Sequence, residues 1–277
     1  MSFGSPVVTT SPALAARLAL ARALLPDAAA LALSYFARVA TLSVEAKANG
    51  QDVVSIADRE VEQLVRARVA EAFPGDGFLG EEFGAAAARS EFLWVLDPID
   101  GTSCFVHDLR NWCIALALVE NGRTVAGFIL DPNADELFTA VAGAGASLNG
   151  RPIHVDIRTD LRHGLTSIGA NFRVAPAHVA AVIARLLGAG GMFVRSGSGA
   201  LSLAHVACGR LAAYYEPQMH AWDCLAGLLL IREAGGWTGP FNEDGDFTRA
   251  DVAIGGAPQL REELLDILAA ARTEQPA

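Results

Sequence analysis

The sequence places five carboxylates in three short motifs. They are Glu81 and Glu82 in Gly-Glu-Glu, Asp97 and Asp100 in Asp-Pro-Ile-Asp-Gly-Thr, and Asp223 in Trp-Asp-Cys-Leu-Ala-Gly. Hard divalent cations take oxygen ligands, and Mg²⁺ is typically held by a few carboxylates together with substrate phosphate and water. The three motifs therefore predict a divalent-metal site.

The middle motif has the residues of a sharp turn. Its proline fixes φ, and Gly101 permits backbone angles that other residues avoid. Residues 92–96 are apolar and predict a buried strand, so the turn should lie at the carboxyl end of that strand. There Asp97, the Ile99 carbonyl and Asp100 would point into one small volume.

Each motif also has a simpler explanation when it is taken alone. Asp, Pro and Gly are ordinary turn residues. Glu81 and Glu82 are compatible with a solvated acidic surface, and Asp223 with a helix N-cap. A carboxylate at a helix start can serve as both cap and ligand. The presence of all three motifs in one chain favours the metal site.

Composition narrows the class of protein. The chain has 277 residues, of which 52% are hydrophobic and 19% charged, so it can bury a large core and is not expected to be disordered. Its formal net charge is -10, and Lys and Arg are scattered, which argues against nucleic acid as the main ligand. Bound cations would let so acidic a protein accept an anionic substrate.

The cysteines and the hydropathy pattern predict a cellular location. The four cysteines form no Cys-x-x-Cys pair and no zinc spacing, which is typical of free thiols in a reducing compartment. The first residues lack a basic segment, and no run reaches the roughly 18 uncharged apolar residues of a membrane span. We therefore expect a cytoplasmic protein with no signal peptide and no membrane partner.

Periodicity predicts the elements that must position the carboxylates. Helices are expected over 12–42, with a break at Pro26, and over a segment that follows Asp58. Further helices are expected over 177–187, from 198 onwards, over 222–234 and over 259–272. Strands are expected over 92–96, 113–119, 123–130, 136–141, 165–168, 192–195 and 212–216, with a hairpin at Asn121-Gly122. This order indicates a layered α/β or mixed α+β fold. We expect one domain over 1–277, with halves 1–155 and 156–277.

Together these motifs resemble the inositol monophosphatase family of Mg²⁺-dependent, lithium-sensitive phosphomonoesterases. The resemblance covers residues 47–236. The matching segments are Lys47, Asp52-Val-Val-Ser55, Asp58, Gly80-Glu-Glu82, 94–102, Phe105-Val106, 195–201, Tyr215-Glu216 and Trp222-Asp223. The resemblance implies an alternating αβαβα sandwich of the fructose-1,6-bisphosphatase type, commonly a homodimer.

The resemblance also implies a set of metal ligands. Glu81, Asp97 and the Ile99 carbonyl would hold a first Mg²⁺. Asp97, Asp100 and Asp223 would hold a second, so that Asp97 bridges the two ions. A third, weaker ion would lie by Glu81, which gives two or three ions in each active site.

Catalytic and substrate-binding roles follow from the same resemblance. Thr102, oriented by Asp58, and Glu81 would steer or deprotonate the attacking water. Phosphate oxygens would meet the backbone near Gly101 and a helix opening near Ser198, and Glu216 would accept hydrogen bonds from substrate hydroxyls. The full substrate-binding set is Asp100, Gly101, Thr102, Gly197, Ser198, Gly199, Glu216 and Asp223, with Lys47 and Glu82 at the edge of the site.

Some residues depart from the family pattern without removing a metal ligand. They are Cys104, Gly199, Ser202 and Pro217-Gln218, and Gly199 is expected to widen the pocket. Trp112 is reminiscent of the histidinol-phosphatase branch, but a single aromatic is better explained by a position in the core or at the rim. The expected substrate is inositol 1-phosphate or a similar polyol phosphate. Alternatives are histidinol phosphate, a nucleotide 3′-phosphate or a sugar bisphosphate, or a regulatory RNA-processing protein that keeps the fold.

Overall fold

The computed structural model describes the backbone of residues 11–42, 44–46 and 53–273, so the predicted site-edge residue Lys47 lies outside the described residues. The helices are α1 Pro12–Phe36, α2 Ile56–Ala72, α3 Thr102–Val106, α4 Pro176–Gly188, α5 Gly199–Ala207, α6 Ala221–Glu233 and α7 Arg261–Thr273.

The strands fall into two large sheets and one short ribbon. They are β1 Val44–Ala46, β2 Val53–Ser55, β3 Gly77–Gly80, β4 Gly84–Ala86, β5 Phe92–Asp100, β6 Cys113–Glu120, β7 Arg123–Asp131, β8 Glu136–Val141, β9 Gly145–Leu148, β10 Arg151–Pro152, β11 Leu165–Ile168, β12 Met192–Val194, β13 Ala213–Met219, β14 Trp237–Thr238 and β15 Asp251–Gly256. β1 and β2 pair with each other and form the ribbon.

The sheets and helices stack in five layers. The larger sheet has eight strands in the order β10-β9-β8-β7-β6-β5-β3-β4, and the smaller has five in the order β12-β11-β13-β15-β14. Helices α5 and α6 lie between the sheets, α1 and α2 cover the outer face of the larger sheet, and α4 packs on α7 beyond the smaller one. Because both sheets and their helices bury apolar faces against one another, the predicted αβαβα sandwich is confirmed.

Helix α1 differs from the prediction. It is one continuous helix of 25 residues, so the expected break at Pro26 is wrong. Leu24, Leu25 and Ala28 are fully buried on either side of the proline. This packing compensates for the hydrogen bond that proline removes from a helix interior.

Helix α1 is also long and apolar enough to cross a membrane by length and composition alone. Its packing accounts for that composition. Arg17 points inward, donates to both carboxylate oxygens of Asp76 at 2.8 and 2.7 Å, and lies 3.7 Å above the Phe92 ring. The apolar face of α1 therefore belongs to the core that covers the larger sheet.

Most predicted elements lie within a few residues of the observed ones, and the hairpin at Asn121-Gly122 joins β6 to β7 with positive φ at both positions. Helix α2 begins earlier than predicted, because Ser55 is its N-cap and Asp58 is its third residue. Strand β5 continues through Asp100 with an irregularity between Asp97 and Asp100, so the predicted turn comes later, at Gly101. The strands β1, β2, β3, β4, β9, β10, β14 and β15 and the short helix α3 were not predicted.

Candidate active site

Strand pairing brings the first two acidic motifs together. β3 and β5 are parallel neighbours, and Gly80 pairs with Leu96 in their register. The N–H of Glu81 donates to the Leu96 carbonyl at 3.3 Å. Glu81 therefore leaves β3 beside Asp97, the next residue of β5.

Helix α6 supplies the third carboxylate. Asp223 is the third residue of α6 and accepts a hydrogen bond from the N–H of His220 at 3.3 Å, so it also caps the helix. Carboxylate oxygens of Glu81, Asp97 and Asp223 all lie within 4.8 Å of one another. The structure thus brings one residue from each of the three predicted motifs into a single cluster.

The electrostatics of this cluster favour a bound cation. Burial, followed by the charges of Glu81, Asp100 and Asp223, raises the pKa of Asp97 well above its ordinary value. Burial and the charges of Glu81 and Asp100 likewise raise the pKa of Asp223. Carboxylates that raise one another's pKa hold protons that a divalent cation can replace. The donor set is all oxygen, which suits Mg²⁺.

Asp100 borders the cluster but is bound to α5. Its Oδ2 accepts hydrogen bonds from the Ala200 N–H at 2.7 Å and from the Ser198 hydroxyl. Burial raises the pKa of Asp100 to about 6, although these two bonds oppose the increase. Both of these bonds are accepted by Oδ2, so Oδ1 is the candidate ligand atom of Asp100.

These bonds change one prediction about phosphate. The helix opening near Ser198 was expected to offer its N–H groups to phosphate oxygens. In the structure the Ala200 N–H donates to Asp100, and the Leu201 N–H donates to the Ser198 hydroxyl at 3.1 Å. Two N–H groups in the first turn of α5 are therefore engaged by side-chain acceptors of the protein, as is usual for the N–H groups at a helix start.

Thr102 lies between two acceptors. Its Oγ1 is 3.2 Å from Oδ1 of Asp58 and 3.1 Å from the Ile99 carbonyl. Asp58 is fully buried, and burial raises its pKa to about 6 against the opposing hydrogen bonds from Ser55. The predicted orientation of Thr102 by Asp58 is thus present as a direct contact.

Gly101 makes this arrangement possible. It has φ 98°, in the left-handed region, and a Cβ at this position would lie 2.7 Å from the Asn111 carbonyl. Glycine alone tolerates both the angle and the close approach. The chain therefore turns sharply after Asp100 and begins α3 at Thr102.

A small polar cavity of about 170 Å³ lies beside the cluster. Its polar lining comes from Asp100, Ser167, Arg195, 196–199, Ser202, Tyr214, Glu216 and Asp223. Most of the predicted substrate-binding residues thus border one space. Gly101 and Thr102 do not line this cavity, although they directly follow Asp100 in the chain.

Glu216 is fixed in this cavity by two donors. Its Oε1 accepts from the Asn171 side-chain amide at 2.9 Å, and its Oε2 accepts from the Tyr214 hydroxyl at 2.5 Å. Gly169 leaves the room that the carboxylate needs, because a Cβ there would lie 2.1 Å from Oε2. Each carboxylate oxygen has a second lone pair, so Glu216 can still accept from a ligand hydroxyl.

Gly199 does not widen the pocket, contrary to expectation. A Cβ at this position would lie 2.4 Å from the Met219 methyl and 2.8 Å from the Tyr214 hydroxyl. The volume that a methyl group would take is filled by these two side chains. Compared with the family pattern, this wall of the pocket therefore has no extra space. Its surface chemistry differs, because the Met219 thioether lies near Glu216.

Two of the other departures from the family pattern, and Trp112, have structural explanations. Cys104 packs under Gly197, whose Cβ would lie 2.3 Å from the thiol. Ser202 donates to the Ser198 carbonyl at 2.8 Å and shares hydrogen bonds with two neighbouring serines. Trp112 is fully buried, 5.0 Å from the Phe105 ring, and is explained as a core aromatic.

Asn171 was missed by the sequence analysis, and Arg195 was matched to the family pattern there but given no role. Asn171 holds Glu216 and also donates to the Gln218 carbonyl at 2.6 Å. Arg195 lines both the small cavity and a wider groove of about 1150 Å³ that includes Glu81 and Asp223. The available signal was the position of Asn171, which follows β11 at its carboxyl end, where α/β sheets bind ligands. The predicted edge residue Glu82 is half-buried beside Glu81, outside the cluster.

Comparison with known proteins identifies the family. The sequence profile of the inositol monophosphatase family matches residues 14–275. The chain belongs to the inositol monophosphatase family. It is 38% identical over 240 residues to the Inositol-1-monophosphatase of Mesorhizobium japonicum, covering 83% of this chain and 87% of that protein. Members with that name are phosphatases, so the chain is a phosphoric monoester hydrolase.

Two further relatives of this chain carry a different name. The Nus factor SuhB of Xylella fastidiosa is 42% identical over 212 residues, which cover 76% of each chain. The crystal structure of the extragenic suppressor protein suhB from Bartonella henselae superposes with a TM-score of 0.84 at 29% identity. That match covers 94% of this chain and 100% of the other.

Proposed function

We propose that this phosphatase is Mg²⁺-dependent and hydrolyses a small polyol phosphate, with inositol 1-phosphate as the leading substrate. The observation that carries the proposal is the cluster of Glu81, Asp97 and Asp223 carboxylates within 4.8 Å. It lies beside a hydroxyl-rich cavity of about 170 Å³. One space for metal and phosphate and one for a polar alcohol is the arrangement that such a substrate requires.

We propose the same metal ligands that the family resemblance implies. Glu81, Asp97 and the Ile99 carbonyl would hold one Mg²⁺, and Asp97, Asp100 and Asp223 a second, with a third ion at lower affinity. Mg²⁺, when bound, lowers the pKa of a water ligand and stabilises the charge of the phosphoryl group.

The protein's own groups would then move the proton of the attacking water. When Thr102 donates its hydrogen to Asp58, a lone pair of Oγ1 is left to accept a hydrogen bond from water. Asp58 has a pKa of about 6 because it is buried, so it can exchange a proton near neutral pH. Glu81 is the alternative acceptor. The backbone N–H groups of Gly101 and Thr102, at the start of α3, are proposed to bind phosphate oxygens.

A phosphate-release panel tests this proposal. Inositol 1-phosphate, histidinol phosphate, adenosine 3′,5′-bisphosphate and fructose 1,6-bisphosphate would be compared with Mg²⁺ and with excess EDTA. We expect release only with Mg²⁺ and fastest release from inositol 1-phosphate. Release unaffected by EDTA overturns the metal dependence, whereas no release from any substrate favours a regulatory protein that keeps the fold.

One observation favours a larger alcohol as the second candidate. The wider groove beside Glu81 and Asp223 has apolar walls that include Phe172 and Trp222, and it also contains Arg173 and Arg195. Such a surface suits a ring system with a second anionic group. Preference for the bisphosphates over inositol 1-phosphate in the same panel would select this candidate.

Lithium sensitivity is proposed on the same ligand set. Lithium would compete at the position formed by Asp97, Asp100 and Asp223. We expect inhibition at millimolar lithium under saturating Mg²⁺. Undiminished activity removes this proposal and leaves the Mg²⁺ requirement intact.

We further propose a cytoplasmic homodimer. Strand β12 ends the order of the smaller sheet, and Leu165, Met192 and Phe193 on β11 and β12 are exposed. Apolar side chains at a free sheet edge favour pairing with another chain. Light scattering should give the mass of a dimer, and Met192→Lys should shift it toward the monomer. A monomeric wild-type protein contradicts this proposal.

A further inference from the structure

One fully buried carboxylate near the cluster has no role in the mechanism above. Glu62 lies on α2, four residues after Asp58, and its side chain is inaccessible to solvent. Residues four apart share one face of a helix. A buried charge is costly unless its oxygens are paired, so the partners of Glu62 indicate what it does.

Both oxygens of Glu62 accept hydrogen bonds from the loop that carries Glu81. Its Oε2 accepts from the Glu82 N–H at 2.8 Å, and its Oε1 accepts from the Phe83 N–H at 3.2 Å. These residues form the turn between the antiparallel strands β3 and β4. A hairpin turn leaves backbone N–H groups without ladder partners, and Glu62 supplies the acceptors.

Arg66 completes the contact between α2 and the turn. Its Nε donates to Oε1 of Glu62 at 2.7 Å, and its terminal N–H donates to the Gly84 carbonyl at the other end of the turn. The guanidinium also lies 4.4 Å from the Phe78 ring centre. Arg66 therefore compensates the buried charge of Glu62 and also holds the turn at Gly84.

Gly80 shows how closely the loop approaches the carboxylate. A Cβ at position 80 would lie 2.1 Å from Oε1 of Glu62. On its other side the chain is held by the bond from the Glu81 N–H to the Leu96 carbonyl. The backbone is thus fixed immediately before and after the Glu81 side chain.

We propose that Glu62 is a positioning residue that sets metal affinity by holding Glu81 toward Asp97 and Asp223. The proposal rests on the proposed Mg²⁺ site. Without the two bonds from Glu62 the turn samples more conformations, and binding must then overcome the entropy of ordering it. Because Asp58 contacts Thr102 from the same helix face, α2 orients a metal ligand and the threonine beside the attacking water together.

The test uses Glu62→Gln in the full chain. Glutamine keeps the shape but has one acceptor oxygen, and its NH₂ group then faces a backbone N–H. We expect the Kd for Mg²⁺, measured by calorimetric titration of the folded variant, to rise about 10- to 100-fold. Activity should return at high Mg²⁺ with the KM for substrate unchanged. Glu71→Gln, an exposed change on the same helix, is the matched control and should bind Mg²⁺ as the wild type does.

The outcomes distinguish failure of the Glu62 proposal from failure of the proposed Mg²⁺ site. Normal Mg²⁺ affinity in folded Glu62→Gln, even with a lower melting temperature, makes Glu62 purely structural and overturns the inference. If that variant does not fold, Arg66→Lys decides, since it weakens the same contacts and should raise the Kd by a smaller factor. Unchanged affinity in Arg66→Lys then overturns it. Wild-type protein that binds no Mg²⁺ removes the metal site and this inference with it.

Discussion

The metal side and the alcohol side of the active site are built differently. On the metal side, Glu81 and Asp97 are neighbours because β3 and β5 pair in register, and Asp223 is fixed in the first turn of α6. On the alcohol side, Glu216 is held by the side chains of Asn171 and Tyr214. Strand pairing and a helix start thus place the first region, with Glu62 supporting the turn that carries Glu81, whereas side-chain contacts alone hold Glu216 in the second. Substitutions can therefore change the alcohol side without disturbing the metal cluster.

The largest effect is expected from Asp97→Asn. Asp97 is fully buried and meets the other two carboxylates of the cluster, so its charge cannot be supplied by another group. Loss of several kcal/mol of charge stabilisation lowers kcat by about a thousandfold or more on every substrate. Phosphate release with inositol 1-phosphate and with p-nitrophenyl phosphate measures this, with circular dichroism as the folding control. Near-normal release by folded protein would contradict the two-metal assignment.

Thr102→Ala should have the next largest effect, and Thr102 also belongs to the metal side. Removing a group that handles the proton of the attacking water lowers kcat and kcat/KM together by about 100-fold. Initial rates across substrate concentration separate the two parameters. A raised KM with unchanged kcat would assign Thr102 to phosphate binding instead.

Glu216→Gln should separate the two sides. A hydrogen bond to a charged group is worth about 1.5–3 kcal/mol, so polyol phosphates should lose roughly 10- to 100-fold in kcat/KM. p-Nitrophenyl phosphate has no hydroxyls to lose and should change little. Parallel assays of both substrates provide the ratio. Equal losses would make Glu216 a structural residue.

Gly199→Ala is expected to affect folding more than catalysis. The added methyl must displace Met219 or Tyr214, and overpacking of this kind costs about 1–3 kcal/mol of the free energy of unfolding. Polyol turnover should fall by only a few-fold, because the metal cluster is untouched. Urea denaturation and rates measured side by side test both statements. A variant of normal stability and activity would show that Met219 moves freely.

The smallest effect on catalysis is expected at Asp76, which lies in neither region. Burial raises the pKa of Asp76, but hydrogen bonds from Arg17, Trp94 and Ser90 outweigh it and hold the pKa below its ordinary value. A depressed folded-state pKa contributes stability above the unfolded pKa of about 3.9, and this is lost as pH falls through the folded value. The stability difference between wild type and Asp76→Asn should therefore shrink from pH 6 toward pH 3.

Urea titrations at several pH values measure that difference, and activity at pH 7 is the control. A difference that is independent of pH would show that the carboxylate is not ionised in the folded protein. Lower activity of the folded variant would connect this ion pair to the active site.

The difference between the two sides also explains what could be predicted from the sequence. Glu81, Asp97 and Asp223 each stand in a short motif with its own turn or cap, so local chemistry revealed them. The bond between Asn171 and Glu216 joins residues 45 positions apart, and no local pattern marks it. The filling of the Gly199 space by Met219 is likewise a packing result that side-chain identity alone does not predict.

The same reasoning applies to the fold. Long amphipathic helices and the Asn121-Gly122 hairpin were predictable because periodicity and turn chemistry are local. The break expected at Pro26 did not occur, because the buried residues around it, such as Leu25, hold the helix together. Short strands such as β14, with two residues, exist only because a neighbouring strand pairs with them.

The position of Asp223 late in the chain determines when the active site is completed during synthesis and folding. Helix α6 packs against strands β5 to β8 of the larger sheet and against β14 and β15 of the smaller one. Contacts between segments far apart in sequence form late, because loop closure is entropically unfavourable. During synthesis, β3 and β5 leave the ribosome long before α6 does. The growing chain therefore carries an incomplete catalytic centre until both sheets close around α6, and a ligand that requires all three carboxylates stabilises only the finished fold.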